Sequence, residues 1–294
     1  MSIALADTDI GAGKVLPRVI RMMLGRYSGR SKLIAGGSII GFVAIVAIFS
    51  HVIAPYDPIK LNLNASLRPP SGAHLMGTDE FGRDVFSRVL YSARLDLQIA
   101  AFGTFFCFLA GSLLGLTAGF LGRVADILIG RLIDVVIAFP GIIVIIALIS
   151  VLGVSLVNLY IGITITGWTA YARLVRGETL AAKGLPYVES ARSLGYSWPR
   201  IMFRHVMPNV ITPAFIFLVT DMVGTILLVT SLSYLGLGPQ PPTPEWGAMI
   251  AEARPFMLQA WWIALFPGLA IVLTGVGLAL LGDGLADALR PEQD

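Results

Sequence analysis

Few residues in this chain could do chemistry, and their spacing excludes most kinds. Its four lysines are Lys14, Lys32, Lys60 and Lys183; none follows a glycine-rich loop and precedes Ser or Thr, so no phosphate-cradling P-loop is present. His51, His74 and His205 are scattered, and Cys107, the single cysteine, sits in an apolar run as a packing residue. There is no zinc motif and no nucleophile elbow. The expectation is a chain with no catalytic residue, no metal and no cofactor of its own. Two features remain. Asp221 is an acid inside an apolar run, about 18 Å along a helix from Asn209. Buried at such a depth, an acid faces a cavity or a partner helix, and both readings stay open.

The other feature is YVESARSLGYSWPRIMFRHVMPN, residues 187–209, a polar stretch between oily ones. Pro186 suits a first helical turn, where its missing N–H costs nothing. Tyr187, Ala191 and Leu194 fall on one apolar face, with Val188 beside it. Gly195 can take the left-handed conformation that ends a helix. Ser197 can cap a second helix, with Arg200 and Arg204 on one face and its end near Pro208. Geometry alone leaves two readings: a docking surface for another protein, or a helix resting on lipid headgroups.

The elements that carry these residues follow from composition. The chain has 294 residues, 56% hydrophobic and 13% charged, and a mean hydropathy of +0.80. No single core could hide that apolar surface from water, so lipid is its solvent. A span needs about 20 apolar residues. Runs at 33–53, 97–122, 209–234 and 255–282 each suffice, and the 38 uncharged residues at 135–172 supply two more, divided at the turn-like LGVSLVN (152–158). The run at 33–53 is too long for a typical signal core and reads as a retained first span. Six spans in an all-α integral membrane protein are expected. Placing the N-terminus in the cytoplasm puts 15 of the 21 basic residues inside, which sets both termini and the 187–209 stretch on the cytoplasmic side.

The domain reading is a cytoplasmic tail at 1–32, a first span with an extracytoplasmic loop at 33–96, a five-helix core at 97–283 with a coupling loop at 178–208, and a second cytoplasmic tail at 284–294. Outside, Thr78 or Asp79 is expected to cap an interfacial helix in which Asp84 and Arg88 form an i,i+4 pair. The Pro- and Gly-rich loop at 235–254 restarts as a helix at Thr243-Pro244-Glu245 and reads as a stiff tether or, on the resemblance given next, as a gate or binding-protein contact.

A resemblance rests on these residues. Glu189-Ser190-Ala191, then Gly195, then His205-Val206-Met207-Pro208 resembles the EAA loop of binding-protein-dependent ABC importer permeases; Glu189, Ala191, Gly195 and Pro208 match, while Ser190, His205 and Met207 depart. GTDEFGRDVFSRVLYSAR (77–94), LSYLGLGPQPPTPEWGAMIAEAR (232–254) and LGDGLADALRP (281–291) are similar to the second permease subunit of dipeptide and oligopeptide importers, with glutathione and nickel systems close by. The resemblance covers roughly residues 33–291. It implies a type I importer permease fold in a bacterial inner membrane. The implied partners are a homologous second permease subunit, two ATPase subunits that bind ATP and Mg, and an extracytoplasmic solute-binding protein. A peptide-like solute and membrane lipid complete the set, with no nucleic acid. Glu189, Ala191, Gly195 and Pro208 would couple to an ATPase, and Asp221 would meet a peptide's ammonium group or a neighbouring helix. A stand-alone ion-coupled carrier would instead show inverted repeats and several buried acids. A membrane enzyme would gather catalytic residues at one depth.

Overall fold

The computed structural model describes residues 18–289, with side chains from residue 29 onward; Lys14, the rest of the tail to residue 17, and residues 290–294 lie outside the described residues. Among the described residues ten α-helices follow one another: α1 (Arg18–Ile53), α2 (Val85–Leu121), α3 (Arg123–Ile137), α4 (Gly141–Leu152), α5 (Leu156–Ala182), α6 (Pro186–Ser193), α7 (Trp198–Arg200), α8 (Met207–Tyr234), α9 (Trp246–Glu252) and α10 (Trp262–Ala288). A π-helical segment, Ile201–Val206, joins α7 to α8. Among the described residues no strand forms beyond an isolated bridge between Thr78 and Asp84.

Helix ends sit where the local chemistry sets them. The Asp84 carboxylate accepts from the Ser87 N–H and caps α2. Gly122, at φ 75°, separates α2 from α3. Ser155 caps α5 through the Asn158 N–H, so the break expected at 152–158 forms there. Pro140 splits the third apolar run, and α3 and α4 meet at 80°.

Among the described residues four stretches are long and apolar enough to cross a membrane: Gly29–Ile53, Val85–Leu121, Trp198–Tyr234 and Trp262–Ala288. The bent α3–α4 pair makes a fifth if it is one crossing. The fourth predicted span lies in α5, which Asn158 and its threonines make less apolar. Three expected boundaries shift. α1 is helical from Arg18, not from residue 33. α2 begins at Val85, so the helix expected from Thr78 or Asp79 is the outer part of the second span, with Asp84 as its cap. α10 begins at Trp262, because Arg254–Phe256 makes a separate 3-10 turn.

Small residues hold the bundle together. α2 lies against α5, and α1 against α10. A Cβ on Gly111 would come within 2.3 Å of the Trp168 carbonyl oxygen, and one on Gly115 within 2.4 Å of the Ala172 carbonyl oxygen. Gly119 meets Thr179 in the same way, at 2.7 Å. Glycines four apart let two helices approach to backbone contact, which replaces the hydrophobic drive that lipid cannot supply. On α1, Gly36 sits against the backbone of Leu281.

Candidate functional site

The chain reverses at α6. Leu185 is extended, and Pro186 opens the helix. At its other end the Tyr196 N–H donates to the Ala191 carbonyl (3.2 Å) and the Leu194 N–H to the Ser190 carbonyl (3.0 Å), with Gly195 at φ 75°. The bond from Tyr196 and the left-handed glycine are those of a Schellman turn, which satisfies carbonyls that a helix end otherwise orphans. The expected single apolar face divides. Val188 and Ala191 are buried in one cluster with Ile201, Met202 and Val206 of the π segment. Leu194, by contrast, is 71% exposed. Leu185, Tyr196, Trp198 and Phe203 are exposed with it. Glu189 is exposed and makes no ion pair or hydrogen bond among the described residues.

Ser197 precedes α7 but makes no capping hydrogen bond through its side chain. Nor does the second helix end near Pro208; it runs on into α8. The π segment explains this. The Met207 N–H donates to the Met202 carbonyl, a bond to the fifth preceding residue, so the wider turn stands immediately before the proline that lacks a donor. Pro208 thus lies in the first turn of α8. His205, a departure from the EAA pattern, stacks on Tyr196 at 5.6 Å and 16°, and Arg200 lies over the other partner's ring at 5.4 Å.

Along α8, Asp221 is half-buried and accepts a 2.8 Å hydrogen bond from the Tyr171 hydroxyl of α5. Phe217 and Phe108 flank that tyrosine edge-on. Asp221 therefore does have a neighbouring-helix partner, which binds one of its two oxygens.

The opposite end of the bundle is capped by α9. Glu245 accepts from the Gly247 and Ala248 N–H groups at 2.8 and 2.7 Å. Trp246 donates from its indole to the Val89 carbonyl of α2 at 3.1 Å. At the far end of α9, Glu252 accepts from Arg83 (2.9 Å) and Arg88 (2.8 Å). Both arginines also bind Asp79, at 2.6 and 2.5 Å. The expected Asp84–Arg88 pair does not form, because the Asp84 carboxylate is taken by Ser87 and by His74 Nδ1 at 2.9 Å. Oxygens of Asp79, Glu80 and Glu252 converge within 4.8 Å, but the two guanidinium groups already occupy that cluster as counter-charges. Burial first, then the charges of Asp79 and Glu252, push the Glu80 carboxyl above its usual range against the pull of its backbone hydrogen bond and Arg83.

Sequence reasoning missed this network. Its signal was the density of charge in TDEFGRDVFSR, next to an apolar span, with an acid at position 252 to complete it.

Residues 111–293 match the family described as binding-protein-dependent transport system inner membrane component. The chain belongs to that family. Its curated relatives agree over most of their length. It is 41% identical over 268 residues to a glutathione transport system permease protein of Pectobacterium atrosepticum, covering 91% of this chain and 89% of that one. It is 39% identical to a dipeptide transport system permease protein of Alkalihalophilus pseudofirmus, over 88% and 85% of the two chains. A glutathione transport system permease protein of Escherichia coli is 44% identical over 84% and 82%. The family is one of ABC importer permease subunits, which are non-catalytic membrane components. Both the α6 turn and α9 fall within the matched part of this permease.

Proposed function

We propose that this permease carries dipeptides, oligopeptides or similar small peptides such as glutathione inward across a bacterial inner membrane, driven by ATP that two partner ATPase subunits hydrolyse. A second permease subunit completes the pathway, and an extracytoplasmic binding protein delivers the solute at the α9 end. The chain crosses six times, with α3–α4 and α5 as two of the crossings and both termini in the cytoplasm. Glu189, Ala191, Gly195 and Pro208 serve the ATPase contact. Asp221 lines the path, with Tyr171 holding one carboxylate oxygen and leaving the other for a cationic group. The glutathione and dipeptide systems among the relatives support this solute class.

One observation carries the reading of α6. Its inner face is buried against the π segment that opens α8, while its outer face presents exposed apolar residues and an unpaired Glu189. A partner that grips the outer face moves α8 directly, and α8 carries Asp221.

The test is ATPase-subunit retention on purification, with transport in reconstituted vesicles. A Cβ on Gly195 would meet nothing within 4 Å, yet the backbone there is left-handed. Gly195→Val should therefore lose retention and transport through strain alone, and Gly195→Asn, which tolerates that conformation, should keep both. Equal retention by the two variants and the parent would remove the coupling role. Orientation is checked by Gln240→Cys and Ser197→Cys: an impermeant reagent added outside should label the first and spare the second. For the path, Asp221→Asn should slow transport of cationic and zwitterionic peptides without loss of assembly; unchanged rates would exclude it.

A further inference from the structure

An arginine at the α9 end of the bundle is held in place but has no counter-charge. Arg254 follows α9 and opens the 3-10 turn Arg254–Phe256. Its backbone is fixed on both sides: the Ala253 N–H donates to the Met249 carbonyl (3.1 Å), the Phe256 N–H donates to the Ala253 carbonyl (2.9 Å), and Pro255 locks the next φ. Its guanidinium lies over the ring of Tyr234, the last residue of α8, with Cζ 3.4 Å from the ring centroid. At van der Waals contact the planar group has to lie flat, since a nitrogen turned toward the ring would clash. A guanidinium stacked in this cation–π contact keeps its N–H donors at the edge of its plane, open to a planar partner. Both residues are exposed, and among the described residues Arg254 has no ion pair. The acids at this end are taken. Asp79 and Glu252 serve Arg83 and Arg88, and Glu80 lies beside Arg83. Asp84 serves His74 and Ser87, Glu245 accepts the first N–H groups of α9, and Asp57 accepts from the Ile59 N–H.

We propose that Arg254 on its Tyr234 platform is a carboxylate-binding site at the mouth of the permease, where it receives the C-terminal carboxylate of the incoming peptide. This assignment rests on peptide import as proposed above. The edge of a guanidinium matches a carboxylate through two parallel N–H···O bonds, and a group already stacked flat loses little freedom in making them. Tyr234 and Asp221 share α8 and stand about 20 Å apart along it at 1.5 Å per residue. An extended dipeptide spans about 7 Å, so the two charges act in turn. Arg254 takes the carboxylate on entry, and Asp221 meets the ammonium group farther in.

Transport into vesicles holding the full complex tests it, with alanyl-alanine and its C-terminal amide as solutes, each supplied on the binding protein at equal loading. Arg254→Gln should slow the free acid about ten-fold, the scale of one lost charge-assisted hydrogen bond, and leave the amide at the parent's rate. Arg254→Lys keeps the charge without the flat fork and should fall between the parent and Arg254→Gln. Retention of the binding protein by the complex should be the same in all three. Equal slowing of both solutes would mean that Arg254 only holds the fold, and loss of binding-protein retention would place the carboxylate on that protein. Either result overturns the assignment, as does a free acid carried by Arg254→Gln at the parent's rate. A parent that carries neither solute removes peptide import itself, and this site with it.

Discussion

The two ends of this bundle are built by opposite means. At the α6 end, one eight-residue helix is held by a Schellman turn and by two buried side chains, Val188 and Ala191. Its outer surface is bare: Leu194 is 71% exposed and Glu189 has no partner among the described residues. At the α9 end, a seven-residue helix is tied at one end by the buried Glu245 and Trp246 and at the other by the half-buried Glu252 with two arginines, and its largest side chain, Trp246, is 1% exposed. The contrast shows how each region would move. α6 is fixed on one side only, with its other face open. α9 is bonded to α2 near both of its ends and packed on α8 and α10, an arrangement in keeping with a stiff tether at 235–254.

The largest expected effect comes from breaking the tied end. Arg88 is 1% exposed and serves both Asp79 and Glu252. Arg88→Met should cost about 3–5 kcal/mol, because removing one partner of a buried ion cluster leaves the other charges uncompensated. The readout is thermal unfolding in detergent. A loss under about 1 kcal/mol, the scale of a surface pair, would make the network superficial and collapse the contrast.

At the α6 end the effects should be smaller and should separate by face. Val188→Ala removes buried methyl groups from a fully enclosed site and should cost about 1–3 kcal/mol, given the range for truncated core side chains. Leu194→Ser, on the exposed face, should change stability by less than about 0.5 kcal/mol. It should nonetheless weaken ATPase-subunit retention. If Leu194→Ser destabilises the isolated chain as much as Val188→Ala does, the outer face is a packing surface and not a docking one.

The smallest effect sharpens the comparison through pH. The folded Glu80 carboxyl binds its proton more tightly than an exposed one, chiefly because it is buried. A raised folded value means that the stabilisation is full below the unfolded value and is lost as pH rises through the folded one. The parent should therefore gain stability, relative to Glu80→Gln, as pH falls from neutral into the carboxylate range. Melting temperatures of the pair across that range check it, and parallel curves would show that Glu80 is not strained by its neighbours.

Legibility in the sequence followed the range of the interactions involved. Four of the six expected spans and the break expected at 152–158 were readable because apolar runs and caps are local. Gly195 was readable for the same reason: a left-handed helix end needs no distant partner. The α6 face was read only in part, since Val188 and Leu194 are both apolar and only the π segment decides which of them is covered. That segment was unreadable as such; Pro208 signals a helix end unless the preceding turn widens, and the widening depends on Ile201, Met202 and Val206 being packed from outside. The Arg88 pairing was misread because Asp84 is four residues away in sequence while Glu252 is 164 residues away. The Gly111, Gly115, Gly119 spacing went unread, and its partner α5 is apparent only in the fold.

α2 itself has a mechanical consequence. One unbroken helix of 37 residues carries Arg88 near its start and Phe120 near its end, about 48 Å apart at 1.5 Å per residue. Phe120 accepts a 2.6 Å hydrogen bond from Lys183, next to α6, and Arg88 grips α9. Helices are stiff along their axis, and their curvature is gentle in the absence of a proline or an inserted group; α2 contains no proline. A small axial thrust or roll delivered beside α6 therefore reaches the far cap with little loss of amplitude. The two ends need no relay of side chains to stay in step, because a single push-rod runs between them.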